Sequence, residues 1–209
     1  MFFGKNASNS SVTKGAPKDI VPAVGDDRAI FYTSTQELSI QKEDNKNQGL
    51  IYMKYNNIHA DGTSGHHAGG QFVDTDYPML RLAEAYLISA ECDARENNGT
   101  CTEDGVARIK ALRKRANVKT GNKYDGIGAD ALNKVTLEDI FQEWSREFGF
   151  EGMRRMVLVR WNRFAGQSDY KWEWMGGSQA GVQFDSRFNI FPIPDSELNA
   201  NPNIKPNYK

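Results

Sequence analysis

Tyr77-Pro78-Met79-Leu80-Arg81-Leu82-Ala83-Glu84-Ala85-Tyr86-Leu87-Ile88-Ser89-Ala90-Glu91 is where the chain turns periodic. Pro78 suits the first turn of a helix, where its missing N–H is no loss. The spacing predicts a helix over 78–95. Leu82, Ala83, Tyr86, Ala90 and Ala94 recur at helical intervals and are the expected buried stripe. Glu91 and Arg95 stand four apart on the opposite face, in the favourable order for an ion pair. Asn97-Asn98-Gly99 supplies a C-terminal stop. Thr100-Cys101-Thr102-Glu103 then has the pattern of a capping box and opens a second helix. That helix runs to about Ala116, with Val106, Ile109, Leu112 and Ala116 facing inward. Two helices joined by so short a turn are expected to pack antiparallel.

Downstream, Thr136 is placed to cap a third helix, with Glu138 and Asp139 favourable in its first turn. Leu137, Ile140, Phe141, Trp144 and Phe148 give it an apolar face. Gly149 and Gly152 weaken helix around Phe150-Glu151. A fourth helix is predicted over 153–164, carrying Met156, Val157, Val159 and Trp161. From Ala165 the chain is rich in Gly, Pro and Asn and is expected to wrap the surface of the helices. Two helical hairpins in succession fit a short α-α superhelix.

Upstream, residues 1–76 carry little periodicity. The stretch 6–15 reads as loop or frayed terminus. Arg28-Ala29-Ile30-Phe31-Tyr32-Thr33 and Leu50-Ile51-Tyr52-Met53-Lys54-Tyr55 read as short strands, paired with each other across a polar connection. Residues 59–71 read as a long Gly- and His-rich loop. The sequence thus divides by character into an irregular part, 1–76, and a helical part with a wrapping tail, 77–209.

Over 209 residues the net charge is −1, which argues against a general nucleic-acid binder. No stretch has the length of apolar sequence that a membrane span needs. The opening Met1-Phe2-Phe3-Gly4-Lys5-Asn6-Ala7-Ser8 lacks the pattern of a signal peptide. Cys92 and Cys101 are either free thiols or a bridge from the helix to the following turn.

The chemistry-bearing residues point away from catalysis. His66-His67 are adjacent and share no ligand spacing with a carboxylate, so no metal is expected. Cys92 has no neighbouring base that would make it a nucleophile. Glu143, Glu147 and Glu151 recur every four residues, and Arg146, Arg154 and Arg155 are expected to pair with them in a structural network. The run Arg108, Lys110, Arg113, Lys114 and Arg115 is read as a solvated helix face. No phosphate-cradling glycine loop is present, and no cofactor is expected. Tyr170, Trp172 and Trp174 alternate with Lys171 and Glu173. In an extended segment they share one face. That face is either buried against the helices or offers a platform on which sugar rings stack. Tyr32, Tyr52 and Tyr55 are weaker candidates of the same kind.

The motifs in their order resemble the C-terminal part of the SusD/RagB family. They are the quoted 77–91 stretch, Ile109-Lys110-Ala111-Leu112-Arg113-Lys114-Arg115-Ala116, then Arg146-Glu147-Phe148-Gly149-Phe150-Glu151-Gly152-Met153-Arg154-Arg155 with Arg160-Trp161. Trp172-Glu173-Trp174-Met175-Gly176-Gly177 and Asn189-Ile190-Phe191-Pro192-Ile193-Pro194 complete the series. A thinner echo lies in Asp26-Asp27-Arg28 and Lys54-Tyr55. Val157-Leu158 stands where the family commonly has Asp-Leu, which makes this a divergent member. The resemblance implies a mainly α fold, a fragment of a tetratricopeptide-like α-α superhelix with irregular, loop-rich ends and a few short strands. It implies a non-enzymatic lipoprotein of the outer membrane, exposed at the cell surface. Such a protein binds an oligosaccharide or other nutrient and passes it to a SusC-like TonB-dependent transporter. The lipid anchor that the resemblance implies is absent from this chain, which is expected to be part of a longer protein. Family ligand residues lie in variable loops, so Tyr32, Tyr170, Trp172 and Trp174 rest on their aromatic chemistry alone. The alternatives are a helical-repeat scaffold that binds only protein, and a glycoside hydrolase with facing carboxylates.

Overall fold

The computed structural model describes residues 21–207, apart from 56, 58, 60, 69–71, 120, 122–124, 167 and 169. The Ser/Asn-rich stretch 6–15 lies outside the described residues. The chain is mainly helical, and its described residues fall into two compact units that meet at Gly152 and Met153.

The first unit is built on three helices, α1 (Leu82–Glu96), α2 (Glu103–Arg115) and α3 (Leu137–Glu147). α1 begins four residues later than Pro78 suggests. Arg81 is held in an extended conformation, φ −134° and ψ 144°, while its side chain reaches other elements. The buried stripe of α1 is Ala83, Leu87, Ala90, Glu91 and Ala94. Leu82, expected in the core, is 69% exposed, and Tyr86 is half-buried. Glu91 does pair with Arg95, at 2.9 Å, but it is buried and not on the solvent face. The helix stops where the asparagines and Gly99 predict. Asn97 Nδ2 donates to the Asp93 carbonyl, and Gly99, at φ +87°, donates its N–H to the Ala94 carbonyl.

The turn into α2 does not use the expected capping box. Thr102 is the N-cap residue, and its side chain makes no cap bond. Instead the Asp93 carboxylate reaches across from α1 and accepts from Thr102 N–H at 2.8 Å and Thr102 Oγ1 at 2.9 Å. The inward residues Val106, Ile109, Leu112 and Ala116 are buried as expected. α1 packs on α2 and also on α3, giving the tetratricopeptide-like hairpin. α3 opens with a complete capping box. Thr136 Oγ1 accepts from Asp139 N–H, and Asp139 Oδ2 accepts from Thr136 N–H. An antiparallel bridge between Thr100 and Thr136 ties the hairpin turn to this helix start. Ile140, Phe141, Trp144 and Phe148 complete the core, with the Trp144 and Phe148 rings 5.1 Å apart.

Ahead of the helices, β1 (Phe31–Tyr32) and β2 (Ile51–Tyr52) pair antiparallel, Phe31 opposite Tyr52, as predicted but shorter. A small cluster of Val21, Val24 and Ala29, with Phe31, Leu50 and Tyr52, packs beside them. The 59–71 stretch is not all loop. Part of it forms β3 (His67–Ala68), which pairs antiparallel with β4 (Phe72–Val73).

The second unit contains α4 (Arg154–Arg160), two 3₁₀ turns at Met175–Gly177 and Ser186–Asn189, and α5 (Asp195–Ala200). α4 is shorter than predicted and buries Val157 and Leu158. Trp161 is half-buried rather than a core residue, and Met156 is exposed. Phe164, Phe184 and Phe188 form a chain of rings with centroids 5.6 and 5.8 Å apart. Asn207 closes the tail by accepting from Ile193 N–H and donating to the Phe191 carbonyl. No helix among the described residues is long and apolar enough to cross a membrane.

Candidate functional site

Glu143 and Glu147 project from the buried face of α3, and Glu151 follows it. Three buried carboxylates demand cations, and the fold brings these from four segments besides α3 itself. Arg28 Nη1 lies 2.7 Å from Glu143 and 3.1 Å from Glu147, while its Nη2 lies 2.7 Å from Asp26. Arg113 from α2 reaches Glu143 at 3.1 Å and Asp125 at 2.6 Å. Arg146 pairs with Glu143 within α3. Arg81 bonds Glu147 at 2.7 Å and grips Glu151 with Nε and Nη2, at 2.9 and 2.7 Å. Its guanidinium also lies 4.5 Å over the Phe148 ring. Lys54 pairs with Glu151, and Arg115 with Glu147 at 2.7 Å.

This is the structural network that the i, i+4 glutamates predict, with Arg146 a member as expected and Arg154 and Arg155 engaged elsewhere. Arg154 donates to Tyr170 Oη, and Arg155 donates to the Phe188 carbonyl. Arg113, expected on a solvated face, is 1% exposed. Burial alone would push the Glu143 carboxyl up in pKa. The Arg146, Arg28 and Arg113 guanidiniums override it and hold Glu143 well below the usual carboxylate range. An acid held ionised this way has no proton to donate at neutral pH. Tyr52, whose hydroxyl donates to the Arg28 carbonyl, is pushed up to about 12 by its burial.

Beside the network opens a cleft of about 330 Å³, with Ile30, Tyr52, Tyr55 and Pro78 among its walls and Arg81 and Arg115 beside them. Tyr55 sits at φ +63°, an unusual conformation for a non-glycine residue, with its ring 6.4 Å from that of Tyr77. Sequence reading missed Arg28, Lys54 and Arg81 as partners. The available signal was the recurrence of Asp26-Asp27-Arg28 and Lys54-Tyr55 as family echoes, which carries no register.

The aromatic strip is only partly extended. Tyr170 and Trp172 remain neighbours, with ring centroids 5.6 Å apart. Arg154 Nη2 donates to Tyr170 Oη at 2.6 Å, and the Arg154 and Arg163 guanidiniums lie 5.6 and 5.8 Å from its ring. The alternation fails at Trp174, which adopts φ +64° and starts the Met175–Gly177 turn. Gly181, at φ +71°, passes so close to the Trp172 carbonyl that a Cβ there would lie 2.3 Å from it. Trp172 is 38% exposed, whereas Trp174 is half-buried. Tyr32, 42% exposed, stands on β1 in the first unit.

Both cysteines are free thiols. Cys101 Sγ donates to the Ala90 carbonyl at 3.3 Å, and burial and then Asp93 push its pKa up to about 11. Among the described residues no cluster of His, Cys, Asp or Glu has the arrangement of a metal site.

The SusD family model matches residues 1–209, and the chain belongs to the SusD family. It is 36% identical over 194 residues to the starch-binding protein SusD of Bacteroides thetaiotaomicron, covering 91% of this chain and 32% of that protein. It is 28% identical over 145 residues to the SusD-like protein P2 of Formosa agariphila, covering 66% of this chain and 26% of that one. A crystal structure of a SusD superfamily protein from Parabacteroides distasonis shares the fold with a TM-score of 0.54 at 19% identity. The match covers 90% of this chain and 40% of that one. The chain therefore spans about a third or less of the length of these curated relatives.

Proposed function

We propose that this chain is part of a non-enzymatic nutrient-binding protein that captures a glycan and delivers it to a SusC-like TonB-dependent transporter. In the full-length protein a lipid anchor holds it at the cell surface of the outer membrane. The observation that carries this reading is the 36% identity to a starch-binding member of the family. The geometry agrees with binding rather than turnover, because Glu143 and Glu147 are buried and engaged by guanidiniums.

The candidate ligand contacts are Tyr170, Trp172 and Trp174 in the second unit and, as a separate candidate on the first unit, Tyr32. Tyr170 and Trp172 are the strongest of them. Their adjacent rings suit the C–H faces of a sugar, and the Arg154 guanidinium and Tyr170 hydroxyl lie at the edge for its hydroxyl groups. The irregular segment 1–76 supplies further loops to the ligand-binding region.

Calorimetry against a panel of starch-type and other oligosaccharides tests this. Binding to at least one glycan is expected, and Trp172→Ala is expected to weaken it about tenfold, the worth of one stacked aromatic. A chain that binds none of the panel, or whose affinity is the same in Trp172→Ala and Tyr170→Ala, would sink the assignment.

A further inference from the structure

The cleft beside the ion-pair network lies wholly within the first unit, and the aromatic strip has no part in it. Its volume of about 330 Å³ stands at the lower end of the range for small-molecule sites, about 300–1,000 Å³. Its lining is of two kinds. Ile30, Tyr52, Tyr55 and Pro78 offer apolar and aromatic surface. Ile30 and Tyr55 leave 43% and 36% of themselves in water. Tyr55 is moreover held in a left-handed conformation, a strain that its surroundings must support.

The polar part of the lining is not fully satisfied. Arg28 and Arg81 engage every guanidinium nitrogen with carboxylates or carbonyls. Arg115 uses only Nη2, on Glu147, and its Nε and Nη1 have no partner among the described residues. Its side chain is 57% exposed. Asp27, also exposed, donates its backbone N–H to the Ala116 carbonyl, and among the described residues its carboxylate accepts from nothing. Asp27 and Arg115 thus line one cleft without forming an ion pair. One brings an acceptor and the other brings donors.

The balance of charge decides what kind of ligand can use them. With Asp27 included, the carboxylates of the network and its cations are equal in number. A carboxylate or phosphate at Arg115 would stand beside Glu147 and Glu151 with no further cation to answer it. A hydroxyl brings no charge. It donates, as Asp27 requires, and accepts, as Arg115 requires. A ring that carries several hydroxyls also has C–H faces that lie well on aromatic surface.

We propose that this cleft is a second sugar site, built from none of the strip residues. It takes a single neutral pyranose ring, with hydroxyls on Asp27 and Arg115 and a face on Tyr55. The choice of a sugar among hydroxyl-rich molecules rests on the glycan reading, whereas the site itself does not.

The test is a saturation-transfer NMR titration of the 209-residue chain with the methyl α-pyranosides of glucose, galactose and mannose. It is run in a Trp172→Ala background, which silences the strip. At least one glycoside is expected to bind, with a Kd of about 1 mM. Asp27→Ala removes no bond within the chain, and Tyr55→Asn suits the left-handed backbone, so both should keep the circular dichroism of the background. Each should weaken the glycoside about tenfold. Binding in the background that neither substitution alters overturns the cleft site. Binding to wild type that vanishes in the background also overturns it, and leaves the glycan reading standing. If no glycoside binds either chain, the cleft site falls, while the oligosaccharide calorimetry decides the glycan reading by itself. Tighter binding of glycine or acetate, lost in Asp27→Ala or Arg115→Ala, assigns the cleft to a charged ligand and overturns the proposal as well.

Discussion

Glu143 is buried completely and receives hydrogen bonds from Arg28, Arg113 and Arg146. Such a group is stabilising only as part of its set, because removing one member strands the others in a dry interior. Glu143→Gln keeps the shape and removes the charge. It is expected to lower the unfolding free energy by about 3–5 kcal/mol at neutral pH, read from urea titration. The pH dependence has a definite sign. The folded-state pKa is depressed by the arginines, so the contribution is fully present above the ordinary carboxylate value of 4.5 and is lost as pH falls below it. The wild type should therefore lose stability steeply in that acid range, and Glu143→Gln should lose less. Glu173→Gln, on an exposed side chain, is the control and should behave as wild type. Parallel acid profiles for Glu143→Gln and wild type would remove the network from the account of stability.

At the scale of elements, the turn between α1 and α2 reverses a common expectation. Gly105 lies in the first turn of α2, where alanine would ordinarily raise helix stability by about 1 kcal/mol. Here a Cβ would meet Asp93 Oδ2 at 2.2 Å and Cys101 Sγ and Cβ at 2.8 and 2.9 Å. That carboxylate oxygen is the one holding Thr102 N–H, so it cannot move without opening the turn. Gly105→Ala is expected to destabilise by about 1–3 kcal/mol, as overpacking does. Ala111→Gly, exposed in the same helix, should also destabilise, by about 1 kcal/mol, from propensity alone. A higher melting temperature for Gly105→Ala would refute the packing argument. The same region shows what local pattern can and cannot tell. The α1–α2 hairpin, the Asn97-Asn98-Gly99 stop and the Thr136 cap follow from short-range spacing and appear as expected. The register of α1 does not, because apolar residues occur on most of its sides. Leu82 and Leu87 both satisfy helical periodicity, and only packing against α2 and α3 selects Leu87. Alternation across 170–174 failed for a related reason. Turn formation at Trp174 depends on Gly176 and Gly181 approaching chain that is not adjacent in sequence.

At the scale of the molecule, the ion-pair network decides which parts belong together. The change of composition near Asp76 separates irregular sequence from helical sequence. The described residues on both sides of it nevertheless form one compact unit. The reason is long-range charge pairing. Arg28 lies 115 and 119 residues from the glutamates it binds, and Lys54 lies 97 residues from Glu151. No periodicity encodes such distances, so the glutamates were readable as needing cations while their owners were not. Arg28 joins the β1–β2 segment to α3, and its loss should be felt in both. Arg28→Met leaves Asp26 without the guanidinium that it binds through two atoms, and thins the partners of Glu143 and Glu147. The expected loss is about 3 kcal/mol or more at pH 7. It should narrow as the pH falls below the ordinary carboxylate range and Glu143, held ionised by its arginines, takes up a proton. Native-state hydrogen exchange locates the effect. If β1, β2 and α3 form one cooperative unit, Arg28→Met raises exchange at Phe31, Tyr52 and the α3 amides by the same free energy. If instead exchange rises only around β1 and β2 while Ile140 to Glu147 keeps its wild-type protection, the irregular segment is an appendage to the helices and the single-unit reading falls.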